Sequence, residues 1–188
     1  MNKVIVVGGG AAGLLAAAAA AEHGAQVTVL EKMFKPGKKL LITGKGRCNI
    51  TNDCDLQEII KNIPGNGRFL NSALRQFTNE DVVKLLNDNG LETKVERGGR
   101  VFPVSDQAKD VVDTLLKILH DLGVELVTDI CVTEVLTDTE KVIGVKTKSG
   151  KVFKADAVIV AAGGASYPGT GSDGSGFKLA EKLGHAII

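Results

Sequence analysis

Three glycines near the N-terminus have the spacing of a phosphate-binding turn. Gly8, Gly10 and Gly13 form the pattern GxGxxG, between the β-branched run Val4 to Val7 and an alanine-rich segment. In a strand-turn-helix unit the first glycine permits a sharp turn, the second lets the backbone approach a pyrophosphate, and the third lets the helix pack against the sheet. The free N–H groups and the dipole of such a helix start favour an anion. The spacing therefore predicts a pyrophosphate-binding turn.

An acidic residue follows where dinucleotide-binding units contact a ribose. Gln26 to Leu30 is a second β-branched run, and Glu31 comes directly after it. A carboxylate at this position accepts hydrogen bonds from the adenosine ribose and would repel a 2′-phosphate. Together these features predict a β-α-β dinucleotide site, against the alternative of a glycine-rich turn without a nucleotide. They do not by themselves separate FAD from NAD.

The basic, glycine-rich segment Lys35 to Asn52 begins just after this acid. We expect it to be an irregular loop that either contacts the cofactor or is simply solvated. Its side chains that suit anions and polar heterocycles are Lys38, Lys39, Thr43, Arg47, Asn49 and Asn52. Cys48 has no resolving cysteine nearby, which favours a small buried residue over a redox thiol.

The N-terminal stretch Val4 to Ala21 has a competing interpretation as a signal peptide or a membrane helix. It contains no charged residue, and Gly9 and Gly13 have GxxxG spacing. However, the glycine triplet Gly8 to Gly10 would weaken a single helix at its middle. The change from β-branched to alanine-rich residues at that point favours strand, turn and helix. We therefore expect no membrane partner.

The composition is that of an ordinary globular protein and limits the classes of partner. With 44% hydrophobic and 24% charged residues, the 188-residue chain can bury one sizeable core or two small ones. The net charge of +1 provides no general attraction for nucleic acid, so none is expected as a partner. The three cysteines have neither CxxC nor metal-ligand spacing, so we expect no metal and a reducing, cytoplasmic location.

The rest of the chain shows helix and strand patterns that must position these residues. Helices are predicted at Arg68 to Phe77, Asn79 to Asn89, Asp106 to Leu122 and Ser172 to Leu183. Strands are predicted at Val124 to Thr128 and Ala157 to Val160, and a hairpin at Leu91 to Val104 with its turn at Gly98 and Gly99. A β-meander is predicted from Cys131 to Leu136, Val142 to Lys148 and Val152 to Lys154, with a turn at Asp138 to Glu140.

Four segments, in the expected order, carry a family resemblance. They are the N-terminal GGGAAG, TGKGRCNITN at Thr43 to Asn52, the later GRVFP, and AAGGASYPGTGSDGSGFKLAEKLGH. With them the chain resembles the HI0933-like flavoproteins, a family that includes aminoacetone oxidase and the bile-acid reductase type of enzyme. The resemblance implies that the first β-α-β unit binds FAD. Family members are much longer, so we expect residues 1–188 to be an incomplete FAD-binding domain with the substrate domain absent.

The resemblance also implies which residues contact each part of FAD. The pyrophosphate residues would be Gly8, Gly10, Ala11, Ala12 and Gly13, and the adenosine residues Glu31 and Lys32. The residues on the ribityl and ring side would be Lys39, Thr43, Gly44, Arg47, Cys48 and Asn49. The meander resembles the FAD domain of glutathione-reductase-type flavoproteins. This implies that the Val132 backbone contacts adenine and that Ala162 and Gly163 pack beside the dinucleotide.

The predicted fold is α/β: a Rossmann-like, doubly wound FAD-binding domain of glutathione-reductase type. It carries a helical and hairpin insertion at about residues 50–122 and a β-meander at about residues 130–155. The expected function is a flavin-dependent oxidoreductase, with a small-molecule substrate and NAD(P)H as a candidate electron donor. No catalytic acid, base or nucleophile is identified. A non-catalytic dinucleotide-binding module or fragment and an NAD-binding domain remain as alternatives.

Overall fold

The computed structural model describes residues 1–139 and 141–187. Glu140, in the turn predicted between two meander strands, and Ile188 lie outside the described residues. The chain divides into two compact units: a first unit of residues 1–40 and 115–188, and a second unit of residues 41–114. The second unit overlaps the insertion predicted at about residues 50–122, whose bounds stay a prediction.

Helices and strands alternate from Lys3 to Asn62, whereas later in the chain helices and strands also occur in consecutive groups. The helices are α1 (Ala11–Glu22), α2 (Lys38–Ile42), α3 (Leu56–Asn62), α4 (Asn71–Gln76), α5 (Asn79–Asp88), α6 (Ala108–Asp121) and α7 (Ser175–Lys182). The strands are β1 (Lys3–Val7), β2 (Gln26–Leu30), β3 (Thr51–Asn52), β4 (Thr93–Glu96), β5 (Arg100–Pro103), β6 (Glu125–Val127), β7 (Val132–Asp138), β8 (Lys141–Thr147), β9 (Val152–Lys154) and β10 (Ala157–Val160). Short 3-10 turns cover Thr43–Gly46, Gly67–Leu70 and Pro168–Thr170.

A four-stranded parallel sheet, in the order β10-β1-β2-β6, organises the first unit. Its two central strands are β-branched runs, as expected for parallel strands covered on both faces. Helix α1 joins β1 to β2, and its alanines Ala17 and Ala18 are buried. Small side chains let this helix approach the sheet closely. The predicted α/β fold with a parallel sheet is confirmed.

The predicted β-meander is also present in the first unit. Strands β7, β8 and β9 pair in that order and antiparallel. They share a hydrophobic core with the parallel sheet and α7, made of Ile5, Val7, Leu30, Val132, Val135, Val145, Ala155 and Leu179. The meander therefore covers part of the sheet that carries the phosphate turn.

The second unit combines helices α3 to α5 with an antiparallel sheet in the order β3-β5-β4. The predicted hairpin is β4 and β5, and its turn residues Gly98 and Gly99 have φ of +80° and +71°, where glycine is favoured. Helix α5 begins at the predicted capping box, in which Thr78 and Asp81 bond each other's backbone. These local signals were sufficient to locate the hairpin and α5.

Several elements differ from the sequence expectation. The segment expected to be an irregular loop contains α2, which is only one turn long, and a 3-10 turn. Strand β3 has two residues and exists because it pairs with β5, a contact that periodicity cannot reveal. Helix α3 was missed, although Asp55 caps it by accepting a hydrogen bond from the Glu58 backbone, a recognisable start signal.

None of the helices within residues 1–139 and 141–187 combines the length and apolar character needed to cross a membrane.

Candidate dinucleotide site

The phosphate turn joins β1 to α1 and is tightly packed at two of its glycines. Gly8 has φ of +107° and donates a backbone hydrogen bond of 2.9 Å to Leu30. A Cβ on Gly8 would lie 2.5 Å from the carbonyl oxygen of Ala161, and one on Gly13 would lie 1.9 Å from the Gly8 oxygen. Neither position can accept a side chain without rearrangement, so both glycines are needed for the turn itself.

Gly10 differs from these two glycines because it borders open space. It is the N-cap of α1, with φ −84° and ψ −176°, and no side chain caps the helix there. A Cβ on Gly10 would meet no heavy atom within 4 Å. The first-turn residues Ala11 and Ala12 are exposed and carry no polar side chain. Because the first N–H groups of a helix lack partners within it, this end is suited to an anion.

The carboxylate of Glu31 lies beside this turn and is 8% exposed. Its Oε2 accepts a hydrogen bond of 2.6 Å from the Gly9 N–H, and its Oε1 accepts one of 2.7 Å from the Met33 N–H. The sequence placed an acid at the end of β2 but did not single out Gly9. The glycine triplet Gly8 to Gly10 could have pointed to Gly9, although only Gly8 and Gly10 of this triplet belong to the GxGxxG pattern.

Lys32, expected near the adenosine, is paired within the first unit. Its Nζ lies 2.6 Å from Asp173 Oδ1 and 3.1 Å from the Ser175 hydroxyl. The hydrogen bond from Lys32, followed by that from Ser175, lowers the pKa of Asp173 below its ordinary value of 3.8. The lysine therefore fixes the segment that leads into α7. Neither Asp173 nor Ser175 was predicted as a partner.

Lys39 contacts the same stretch of chain further upstream. Its Nζ lies 3.3 Å from the Ser166 hydroxyl and 5.6 Å from the centre of the Tyr167 ring. Lys38 reaches the Gly169 carbonyl at 3.3 Å. The segment after β10 is thus held by lysines that follow β2.

The residues predicted around the end of β10 lie close to the phosphate turn. The Ala161 N–H donates a hydrogen bond of 2.8 Å to Val7, and a Cβ on Gly8 would come within 3.1 Å of the Ala162 Cα. Gly163 has φ of +73°, and a Cβ there would lie 2.7 Å from the Ser172 hydroxyl. The carboxyl ends of β1 and β10 therefore meet at one edge of the sheet, where ligands of such sheets bind.

Val132, at the start of β7, is 6% exposed and its side chain is part of the core shared by the meander and the parallel sheet. Ala162 packs against the same core. The predicted backbone contact of Val132 with adenine stays a prediction.

The remaining predicted residues form a tight turn in the second unit. Four residues have positive φ, an unusual concentration: Gly44 (55°), Lys45 (60°), Gly46 (86°) and Cys48 (62°). The Cys48 N–H donates a hydrogen bond of 3.0 Å to the Thr43 carbonyl, and Asn49 is exposed. A Cβ on Gly44 would lie 2.9 Å from the Asn49 nitrogen. This crowding explains the need for glycine at position 44.

Arg47 belongs to a charge network within the second unit. Its guanidinium binds Glu96 and lies 2.7 Å from Asp106 Oδ1, while Lys94 lies 2.7 Å from Asp106 Oδ2. Hydrogen bonds to Glu96 and then Asp106 raise the pKa of Arg47. The same cations lower the pKa values of both carboxyl groups, with Arg47 the main cause for Glu96 and Lys94 for Asp106.

An aromatic ring completes the surroundings of the Arg47 guanidinium. Its Cζ lies 4.1 Å from the centre of the Phe102 ring, and Phe102 is 3% exposed. The guanidinium thus has carboxylate partners and a ring face within its own unit. It holds the turn from Thr43 to Asn49 against the hairpin, so contact with a flavin stays a prediction for this side chain.

Cys48 is 1% exposed and not part of a disulfide. Burial raises the pKa of its thiol, and a hydrogen bond with Thr43 offsets part of this. A buried thiol with a raised pKa contains little thiolate near neutral pH, which favours the packing role over redox chemistry.

Two other features of the described residues do not add to the dinucleotide site. No group of three or more His, Cys, Asp or Glu side chains among them is placed to hold a metal ion. A cavity of about 570 Å³ lies wholly in the second unit, and Asn52 is the one residue of its lining that belongs to the loop considered for cofactor contact. Its lining residues are Asn52, Asp53, Cys54, Glu58, Ile59, Asn62, Ile63, Gly98 and Gly99.

The chain matches one family model and is similar to several enzymes. The profile of the HI0933-like protein Rossmann domain matches residues 2–188. The 3-dehydro-bile acid delta(4,6)-reductase of Clostridium scindens is 40% identical over 164 residues, which are 87% of this chain and 39% of that protein. The ribosomal RNA dihydrouridine synthase of Escherichia coli is 33% identical over 166 residues, 88% of this chain and 40% of that protein. The chain thus spans about two fifths of the length of these relatives.

Solved structures with low identity share the fold. A flavocytochrome c3 fumarate reductase in an open conformation superposes with a TM-score of 0.72 and 20% identity, covering 97% of this chain and 40% of that one. The 3-ketosteroid-delta4-(5alpha)-dehydrogenase of Rhodococcus jostii superposes with a TM-score of 0.66 and 20% identity, covering 88% of this chain and 47% of that one. At 20% identity this similarity shows the fold alone and does not assign a function.

Proposed function

Because this chain belongs to the HI0933-like protein Rossmann domain family, we propose that it binds FAD and forms part of a flavin-dependent oxidoreductase. The open start of α1 at Gly10 carries the proposal. It leaves room for a phosphate where a Cβ would lie, and the buried Glu31 carboxylate is adjacent. The residues present therefore fit the pyrophosphate and adenosine half of a dinucleotide.

Each part of FAD has proposed partners in the chain. The backbone N–H groups from Gly10 to Gly13 would bind the pyrophosphate, and Glu31 would use its remaining acceptor capacity for the ribose. The turn from Thr43 to Asn49 would contact the ribityl chain and the ring through its backbone, as the family resemblance implies. Bound flavin would supply the hydride and electron chemistry, while the protein orients it and limits access of water.

The names of the relatives suggest a class of reaction for the whole protein. One relative is named as a delta(4,6)-reductase of a 3-dehydro-bile acid, and the other as a synthase of dihydrouridine in ribosomal RNA. In chemical terms, a 3-dehydro group is a ketone next to the 4,6 double bonds, and dihydrouridine is uridine reduced at a double bond next to a carbonyl. We propose that the complete protein reduces a double bond conjugated with a carbonyl, with NAD(P)H as a candidate donor. We propose a small molecule as its substrate, since the net charge of +1 over these 188 residues provides no general attraction for RNA.

The three free cysteines are consistent with a reducing compartment, and we propose the cytoplasm as its location.

Extraction of the bound molecule tests the cofactor. The protein is purified under mild conditions, its visible absorbance is recorded, and the acid extract is analysed by mass spectrometry. FAD is the expected molecule, recovered with the protein or taken up in preference to FMN and NAD. Recovery of NAD alone would support an NAD-binding domain. FAD binding without turnover by a protein of the relatives' length would support the non-catalytic module.

A further inference from the structure

We propose that Glu31 is a positioning residue for the phosphate turn and acts through the backbone of Gly9. Acids at the end of the second strand are expected to bind ribose, a role that needs no contact with the turn. Here both carboxylate oxygens already accept backbone hydrogen bonds, from Gly9 at 2.6 Å and Met33 at 2.7 Å. The carboxylate thus joins the turn after β1 to the segment after β2 through contacts within the protein alone.

Gly9 is also held from its carbonyl side. Its oxygen accepts a hydrogen bond of 2.8 Å from the Gly37 N–H. A Cβ on Gly9 would lie 3.1 Å from the Pro36 Cβ and 3.2 Å from the Glu31 Cβ and Oε2. The segment from Glu31 to Gly37 therefore encloses Gly9, which is buried. The middle glycine of the triplet has a packing requirement that the GxGxxG pattern does not describe.

The chemistry of the two contacts requires a carboxylate. Each oxygen of Glu31 faces an N–H group, so both must be acceptors, and hydrogen bonds to an ionised group are stronger than neutral ones. A glutamine has nearly the same size, but its NH₂ group would face one of the two N–H donors. That donor would be left buried without a partner, which is destabilising. Glutamine could still exchange hydrogen bonds with ribose hydroxyls.

Glu31→Gln in the ligand-free protein is the first test. If Glu31 positions the turn, the melting temperature should fall by about 3–8 °C, the loss expected for one buried unpaired donor in a chain of this size. The matched control is Glu22→Gln, the same change at an exposed carboxyl group at the end of α1, and it should leave the melting temperature unchanged. An unchanged melting temperature in Glu31→Gln would overturn the proposal.

A measurement on the unaltered protein guards against a variant that does not fold. The Gly9 amide lies outside helices and strands, yet its bond to a buried carboxylate should protect it from hydrogen exchange as well as amides in β1. Exchange at the rate of an exposed loop amide would show that the contact does not persist, and the proposal would fail.

A modified cofactor distinguishes a positioning role of Glu31 from direct binding of the ribose. Of the three tests, only this one rests on the proposed function. FAD is compared with an analogue that lacks both adenosine ribose hydroxyls. A positioning role predicts that Glu31→Gln weakens both ligands by a similar factor of roughly ten. A weakened affinity for FAD with an unchanged affinity for the analogue would assign Glu31 to ribose alone. If the unaltered protein bound neither ligand, the proposed function would fail while the ligand-free tests would still decide the role of Glu31.

Discussion

Gly10→Ala should weaken FAD binding without unfolding the protein. The backbone of Gly10, at φ −84° and ψ −176°, is open to alanine, and its Cβ would meet no heavy atom within 4 Å. Alanine reduces the conformational freedom of the unfolded chain, which stabilises the folded state, but it is a poorer N-cap than glycine, which destabilises it. These effects offset, so the free energy of unfolding should change by less than about 1 kcal/mol.

The effect on the ligand should be much larger. The new methyl group would occupy space that a phosphate oxygen needs in order to reach the first N–H groups of α1. A hydrogen bond to a charged group contributes about 1.5–3 kcal/mol, so loss of one weakens binding about ten- to a hundredfold. The dissociation constant is measured by titration of flavin fluorescence, and stability by thermal unfolding of the ligand-free protein.

Gly13→Ala is the matched comparison because it adds the same methyl group three residues later. Its Cβ would lie 1.9 Å from the Gly8 oxygen, so the helix and the turn would have to separate. Overpacking of this kind costs about 1–3 kcal/mol or more and should lower the melting temperature directly. Unchanged FAD affinity in a stable Gly10→Ala protein would refute the placement of the phosphate. A similar fall in melting temperature for Gly10→Ala and Gly13→Ala would show that Gly10 does not border open space.

Two further predictions concern the second unit. Because Arg47 and Lys94 lower the pKa values of Glu96 and Asp106, these carboxylates stabilise the folded state above their ordinary pKa values of 4.5 and 3.8. The free energy of unfolding should therefore fall as the pH drops below about 4.5. This fall should be smaller in a Glu96→Gln, Asp106→Asn double variant. The free energy is measured by urea unfolding at each pH, and identical pH profiles for the two proteins would count against the network. Cys48 should react with a maleimide much more slowly than the other two cysteines in the folded protein, and equal rates by mass spectrometry would contradict its burial.

The sequence by itself was sufficient for the features that depend on neighbours along the chain. The β-branched run before Gly8 indicates a strand, and the alanines after Gly13 indicate a helix. The glycines between them disfavour the alternative of one continuous helix. The meander and the hairpin at Gly98 and Gly99 followed from the same kind of local signal. These elements, in order, specified the α/β fold, and the family resemblance carried by the intervening motifs is confirmed by the match over residues 2–188.

Only the tertiary structure decided what the polar side chains of the candidate site contact. Arg47 is predicted on the ribityl and ring side of FAD, and this contact stays a prediction; the structure adds that Glu96 and Asp106, 49 and 59 residues away along the chain, bind its guanidinium. Lys32 pairs with Asp173 across 141 residues, and Glu31 reaches the Gly9 N–H across 22. Long flexible side chains have no periodicity that encodes such partners. Their contacts depend on which strand ends and loops the completed fold brings together.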